Sequence, residues 1–415
     1  MKTAIQIKNT FEEIISSYFS KEERKKFDID LAAKYDNEMI LSEQADSSID
    51  KYSIEERGFV QQRKFQIESL ITYLEKKISG VKYYDLLLSL GKSSIFLGEN
   101  LLAINIYQRL INEVIDDNRY VDFLANAYLG FSEALSKQAD WNDSIKYCLK
   151  ANKIFTNEKD YIGMARCENL IGVIYGEQGD LTKAERHLSQ ALELLNLKGD
   201  KYLRGIVEIN IGIINFALDN YDIALTHFQR ALTVFEQFSD FGRIAEIRYN
   251  MGILFAQKTD YEAALTELDL SISAALKAER LPHLGKSYLS KAGMFAELDK
   301  FPLAIAYANK AMDISYRVND SLSIADIYKI KGVVHRKLRN KELSENYLLT
   351  SLRLNKELNN MYNHAEASLE LGLLYKDWNK NDKSISHLKE ALEYNKQIGA
   401  WKDVKRIQSI LSEIN

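Results

Sequence analysis

The stretch Ile171–Ala191, IGVIYGEQGDLTKAERHLSQA, decides how this chain folds. A small residue, Gly172, is followed three positions on by Tyr175, then by a polar turn at Gly179-Asp180, then by Ala184, Leu188 and Ala191. A step of 40 residues finds Gly212, Ala224, Phe228 and Ala231, and a second finds Gly252, Phe255, Ala264 and Leu268. The series continues through Ala292, Phe295, Ala304, Ala308 and Ala311, then Gly332 and Leu348, then Gly372, Tyr375, Leu388 and Ala391. Backwards it meets Ser132, Leu135, Cys148 and Ala151. A unit of this size cannot bury its own apolar face, so units must stack on their neighbours as a solenoid.

Each unit reads as two helices and a short turn. The turn is polar then apolar at Asp140-Trp141, Asp180-Leu181, Asn220-Tyr221, Asp260-Tyr261 and Lys300-Phe301. Asp or Asn there accepts from a free amide at the next helix start. Of the two prolines, Pro302 fits the first turn of a helix and Pro282 is expected in the loop between units. Small markers such as Gly172, facing Ala184, let paired helices approach at the short end of the usual ~8–10 Å. The last units depart from the pattern: Lys341 and Asn381 replace the apolar turn residue, and Ser344 and Ser384 replace the alanine.

The fold class is therefore all-α, with three segments. Residues 1–80 are a helical N-terminal cap or head, with amphipathic helices over Ile5–Phe19, Leu31–Leu41 and Ile54–Ile78, a capping box at Ser20/Glu23 and a polar linker at Glu43–Tyr52. Residues 81–399 hold about eight repeats, the first marked by Gly91, Ala103 and Tyr107; residues 400–415 are a C-terminal capping helix.

Composition narrows the function. Lys plus Arg number 55 against 59 Asp plus Glu, for a net charge of −4, which offers nucleic acid or an acidic membrane no general attraction. No apolar run approaches the ~20 residues that span a bilayer, and the acid-bearing start does not read as a signal peptide. A soluble cytoplasmic protein is expected. Cys148 and Cys167 lack metal-ligand spacing and do not suggest a disulfide framework. His187, His227 and His387 recur at equivalent places, but units 40 residues apart stack side by side rather than converge on a metal. His283, His335 and His364 have no partner at ligand spacing. Neither a metal, nor a cofactor, nor an enzyme is expected.

The markers resemble the tetratricopeptide repeat, here at period 40 rather than the usual 34, as in Pins-type scaffolds, kinesin light chain and bacterial regulators. The resemblance implies a right-handed superhelical solenoid whose inner surface, lined by the first helix of each pair, binds an extended or helical segment of a partner protein. On those helices a second stripe, beside the packing stripe, carries Asn169 and Val173, then Asn210 and Ile213, then Tyr249, Asn250 and Ile253, then Ser290. A turn earlier lie Asn126, Arg166, Ile206 and Lys286. Asparagines offer donor and acceptor to a bound backbone; alternatively, Asn210 and Asn250 cap or brace neighbouring helices. The carboxylate clamp of one family variant is disfavoured, because Val173, Ile213, Ile253, Val333 and Leu373 stand where it needs polar groups. Asp326, Lys329, Arg336, Glu366, Glu370 and Lys376 continue the stripe; they would extend the site into a polar half or, the preferred reading, are solvated surface near the end of the array. A second function class is a peptide-sensing regulator whose head acts on another protein, with Gln44, Gln61, Gln62 and Gln66 available. Homo-oligomer formation is left open.

Overall fold

The computed structural model describes residues 22–25, 65 and 67–414, so the expectations for Ile5–Phe19, Ser20 of the capping box, Leu31–Leu41, the Glu43–Tyr52 linker and the Ile54–Lys64 part of Ile54–Ile78 lie outside the described residues. Among the described residues the regular structure is helical throughout, with no β-strand. They divide between Asn220 and Tyr221 into two compact units.

The first unit contains α1 (Val81–Phe96), α2 (Asn100–Val114), a 3-10 turn (Asn118–Tyr120), α3 (Val121–Ser136), α4 (Trp141–Glu158), α5 (Tyr161–Glu177), α6 (Leu181–Leu197) and α7 (Lys201–Ala217). Residues 67–75 are helical and bury Ile67, Leu70, Ile71 and Leu74 in one core with Leu86, Leu90 and Leu110. The second unit contains α8 (Tyr221–Gln237), α9 (Phe241–Gln257), α10 (Tyr261–Lys277), α11 (Leu281–Glu297), α12 (Phe301–Arg317), α13 (Ser321–Lys337), α14 (Lys341–Glu357), α15 (Met361–Asp377), α16 (Asn381–Gln397) and α17 (Trp401–Ile414).

From Val121 onward a helix begins every 20 residues, because the connections are copies of one another. After α5, the amide of Gly179 donates to the Gly176 carbonyl at 3.0 Å and the amide of Asp180 to the Tyr175 carbonyl at 2.9 Å. That pair of bonds is a Schellman motif, which needs a left-handed residue at its corner. The corner falls at Ala139, Lys159, Gly179, Asp219, Ser239, Thr259, Glu279, Asp299, Asn319, Arg339, Asn359, Asn379 and Gly399, all with positive φ. The next residue then serves as N-cap of the following helix. Asp160, Asp180, Asp240, Asp260, Asp320, Asn340 and Asn360 accept there from backbone amides with their side chains. One departure is the α6–α7 connection, where Lys198 is extended and Asp200 still caps α7. Connections this short return the chain on itself, so within each unit successive helices run antiparallel. Pro282 lies in the first turn of α11 rather than in the loop, the same position that Pro302 takes in α12; neither site needs an N–H.

The small residues mark where paired helices cross. A Cβ added at Gly172 would lie 2.7 Å from Leu188 Cγ and 3.2 Å from the Ala184 carbonyl oxygen. Leu188 is thus the residue that fills the place of the missing side chain, with Ala184 contributing its backbone. Leu268 plays that part for Gly252, Leu348 for Gly332 and Leu388 for Gly372. In the first unit Tyr107 is wedged between Gly91 of α1 and Gly130 of α3. Serine at the alanine position is also explained: Ser344 Oγ donates to the Gly332 carbonyl at 2.8 Å and Ser384 Oγ to the Gly372 carbonyl at 2.7 Å. The helices are close enough there for a hydroxyl to reach the facing backbone, which satisfies a buried polar group. At the chain's far end α17 buries Val404, and packs Ile407 against Leu369, Leu388 and Ala391, while Lys402, Lys405, Gln408, Ser409 and Ser412 are exposed.

Two opposite substitutions in the α9–α10 hairpin test this reading. Gly252→Ala, with Leu268 Cγ 2.9 Å from the new Cβ, is expected to cost about 1–3 kcal/mol by overpacking. Thr259→Gly, which relieves a β-branched residue at φ 60, is expected to stabilise by about 1 kcal/mol. Urea unfolding of both variants checks the signs.

Candidate binding stripe

On α5 the packing face takes Ala165, Ile171, Gly172 and Ile174, all buried. Ile162, Arg166, Asn169 and Val173 share the opposite edge and are half-buried or exposed. The same edge recurs on α3 and α7 in the first unit and on α9, α11, α13 and α15 in the second.

In the first unit the stripe is cross-linked from helix to helix. Arg166 Nη1 donates to Asn126 Oδ1 at 3.3 Å, and Asn126 Nδ2 to the Asp122 carbonyl of its own helix at 2.9 Å. Asn210 Nδ2 donates to Asn169 Oδ1 at 2.8 Å. The amides of α3, α5 and α7 therefore brace adjacent repeats, the alternative that composition had left open for Asn210. The Asn169–Asn210 bond uses one donor of one amide and one acceptor site of the other, and each retains further capacity for a ligand. Between the rungs Val173 and Ile206 are half-buried and Ile213 is 39% exposed.

In the second unit burial raises the phenol pKa of Tyr249 of α9, with Ser290 of α11 pulling the other way. Asn250 and Ile253 are half-buried, and Lys286 is exposed. Further along, the charged residues are not the solvated surface expected of them. Lys329 of α13 pairs with Asp326 at 3.6 Å and with Glu366 of α15. Arg336 pairs with Glu370 at 3.1 Å and Asp377 at 3.2 Å. The Lys329, Arg336 and Glu370 side chains are each about four-fifths withdrawn from water. Burial pushes Asp326 and Glu370 above the usual carboxylate range, against the pull of Lys329 and Arg336. Burial of Lys329 opposes its charge, yet Glu366 and Asp326 outweigh this and raise its pKa.

The recurring histidines belong to a different set of positions, one inside each hairpin. Residues 19 apart in sequence face one another across the paired helices: Tyr128 with Tyr147, Glu168 with His187, Arg248 with Glu267, Tyr288 with Tyr307, Tyr328 with Tyr347, and Ser368 with His387. His187 Nδ1 lies 2.7 Å from Glu168 Oε2 and its ring stacks on Tyr175. His387 Nδ1 lies 3.1 Å from Ser368 Oγ, and its ring stacks on Tyr375. His364, without a partner at ligand spacing in the sequence, meets Glu390 at 2.9 Å. Among the described residues no group of three His, Cys, Asp or Glu side chains could hold a metal ion.

Family comparisons fit this geometry. Models described as "Tetratricopeptide repeat" match residues 123–196, 203–277 and 365–398. The chain carries tetratricopeptide repeats. Tetratricopeptide repeat protein 29 of Macaca fascicularis is 28% identical over 113 residues, which are 25% of this chain and 23% of that protein. The chain thus spans about a quarter of that relative's length. Three solved structures share the fold at 15–16% identity. A Rap protein complexed with Competence and Sporulation Factor gives a TM-score of 0.54, covering 86% of this chain and 99% of that one. Aspartyl phosphate phosphatase F from Bacillus subtilis gives 0.58, covering 83% and 94%. The apo quorum sensor NprR from B. thuringiensis gives 0.54, covering 79% and 97%.

The tetratricopeptide repeats of the second unit have a pH signature. Burial lowers the pKa of His283, His335 and His387, with Lys331 adding to the effect at His335. A histidine whose folded pKa is depressed contributes stability above its unfolded value of about 6.5, and that stability is lost as pH falls. The raised Asp326 and Glu370 act in the opposite sense as they take up protons. Comparison with His335→Phe isolates the histidine: the wild-type chain should lose more stability than the variant between pH 7 and 5.5 in urea unfolding.

Proposed function

We propose that the chain binds a peptide or helical segment of a partner protein along the exposed edges of its first-of-pair helices, acting as a binding scaffold rather than an enzyme. The observation that carries this reading is the stripe itself. Ile213 stands 39% exposed beside the Asn169–Asn210 rung, so an apolar contact and a partly used amide lie together. A ligand backbone would take the remaining amide capacity, and Val173, Ile206 and Ile213 in the first unit would receive its side chains. Tyr249, Asn250, Ile253, Lys286 and Ser290 would offer the same combination in the second unit. The partner is a protein or peptide, without a cofactor. Among the described residues no helix is long and apolar enough to cross a membrane.

A second reading is a peptide-sensing regulator in which the N-terminal segment acts on another protein. What favours it is the reach of the likeness: the Rap protein, phosphatase F and NprR structures align over 79–86% of this chain and nearly all of their own. Of those three, the Rap protein is complexed with Competence and Sporulation Factor and NprR is a quorum sensor.

Affinity capture from the native cell tests the first reading. Ile213→Glu puts a charge on an exposed position and should reduce recovery of the partner at least about tenfold while leaving the unfolding midpoint in place. Equal recovery by the variant contradicts the placement. Removal of residues 1–66, which spares the buried Ile67, Leu70, Ile71 and Leu74, separates the two readings: a scaffold keeps its partner and its effect, whereas a regulator keeps the partner and loses its output.

A further inference from the structure

The chain has two cysteines in 415 residues, and both fall at one junction between consecutive hairpins. Cys148 is in α4 and Cys167 in α5, the second helix of one repeat and the first of the next. At equivalent junctions the same two positions hold Leu188 and Val207, Ala308 and Ile327, or Leu388 and Ile407, each pair buried within one cluster. Here two thiols replace the aliphatic pair. Both are free and 0% exposed. Cys148 Sγ donates to the Cys167 carbonyl at 3.5 Å, so the two cysteines meet across the junction. The neighbouring Cys148 thiol and burial together push the Cys167 thiol far above the ordinary thiol range. While the hairpins stay closed, both sulfurs are shielded from solvent and from oxidant.

We propose that Cys148 and Cys167 form a latent disulfide, closed by peroxide, that locks the α3–α4 hairpin to the α5–α6 hairpin. Transient parting of α4 and α5 admits hydrogen peroxide and lets one thiol ionise. Its sulfur attacks a peroxide oxygen, the O–O bond breaks, and a sulfenic acid and one water result. On reclosure the second sulfur displaces the hydroxyl as a second water, and the S–S bond forms. Two thiol protons and two electrons have then passed to the peroxide. Because Cys148 Sγ already lies 3.5 Å from the backbone of Cys167, the second thiol is at hand and capture precedes further oxidation of the sulfenic acid. The bond closes a loop of roughly 20 residues, enough for a measurable loss of unfolded-chain entropy.

The test uses the full reduced chain. It is treated with hydrogen peroxide under native conditions, free thiols are blocked with N-ethylmaleimide, and the cysteine peptides are read by mass spectrometry. The expected result is one intramolecular 148–167 bond, reversed by dithiothreitol, formed faster in sub-denaturing urea and accompanied by a rise in Tm of several degrees. Cys167→Val, which restores the residue type of position 207, should show no Tm rise on the same treatment. The proposal is overturned if the native chain keeps both thiols, goes on to sulfinic acid, links into dimers, or melts earlier once the bond is made.

Discussion

The structure depends on one repeated constraint: a helix must end and the next begin within three residues. The Schellman bonds satisfy the last carbonyls of one helix, and the residue after the left-handed corner caps the following one. Asp160, Asp240 and Asp320 thus serve two helices at once, by backbone amide and by side-chain carboxylate. With no slack in the connection, each helix has a fixed length and direction. Helices of 17 residues starting every 20 follow from that geometry, and the 40-residue period is two such steps.

Given that spacing, the crossing points follow. Gly172, Gly252, Gly332 and Gly372 stand where a leucine from the paired helix needs the volume of a missing side chain. The serines at 344 and 384 make a different use of the same closeness, reaching the facing carbonyl. A sequence reader sees both as small residues. The chemistry that distinguishes them lies in the distance between backbones.

Much of the fold was legible because its signals are local and periodic. The Asp-Leu and Asp-Tyr turns, the small markers and the prolines all report the 40-residue step. The left-handed corners were not legible: Lys159, Thr259 and Arg339 are poor residues for that conformation and are held there by the bonds around them. The stripe was visible from helical spacing, but its bonding was not. Asn169 meets Asn210, and Lys329 meets Glu366, only because stacking brings residues some 40 positions apart into contact. His187 and His387 were recognised as recurring, while their partners Glu168 and Ser368 emerge only once helices are paired. Such contacts belong to the stack rather than to any one repeat.

If the constraint is as described, a whole repeat can be removed without disturbing the rest. Deletion of residues 241–280 takes out α9 and α10 and joins Asp240 to Leu281, so the corner at Ser239 and the start of α11 are kept. Circular dichroism during thermal unfolding is the direct measurement. The account predicts the same helicity per residue as the full chain and a single cooperative transition, whereas deletion of 241–270 alone should abolish both in that part of the chain. Equal behaviour of the two deletions, or loss of cooperative unfolding in the 40-residue deletion, would contradict it.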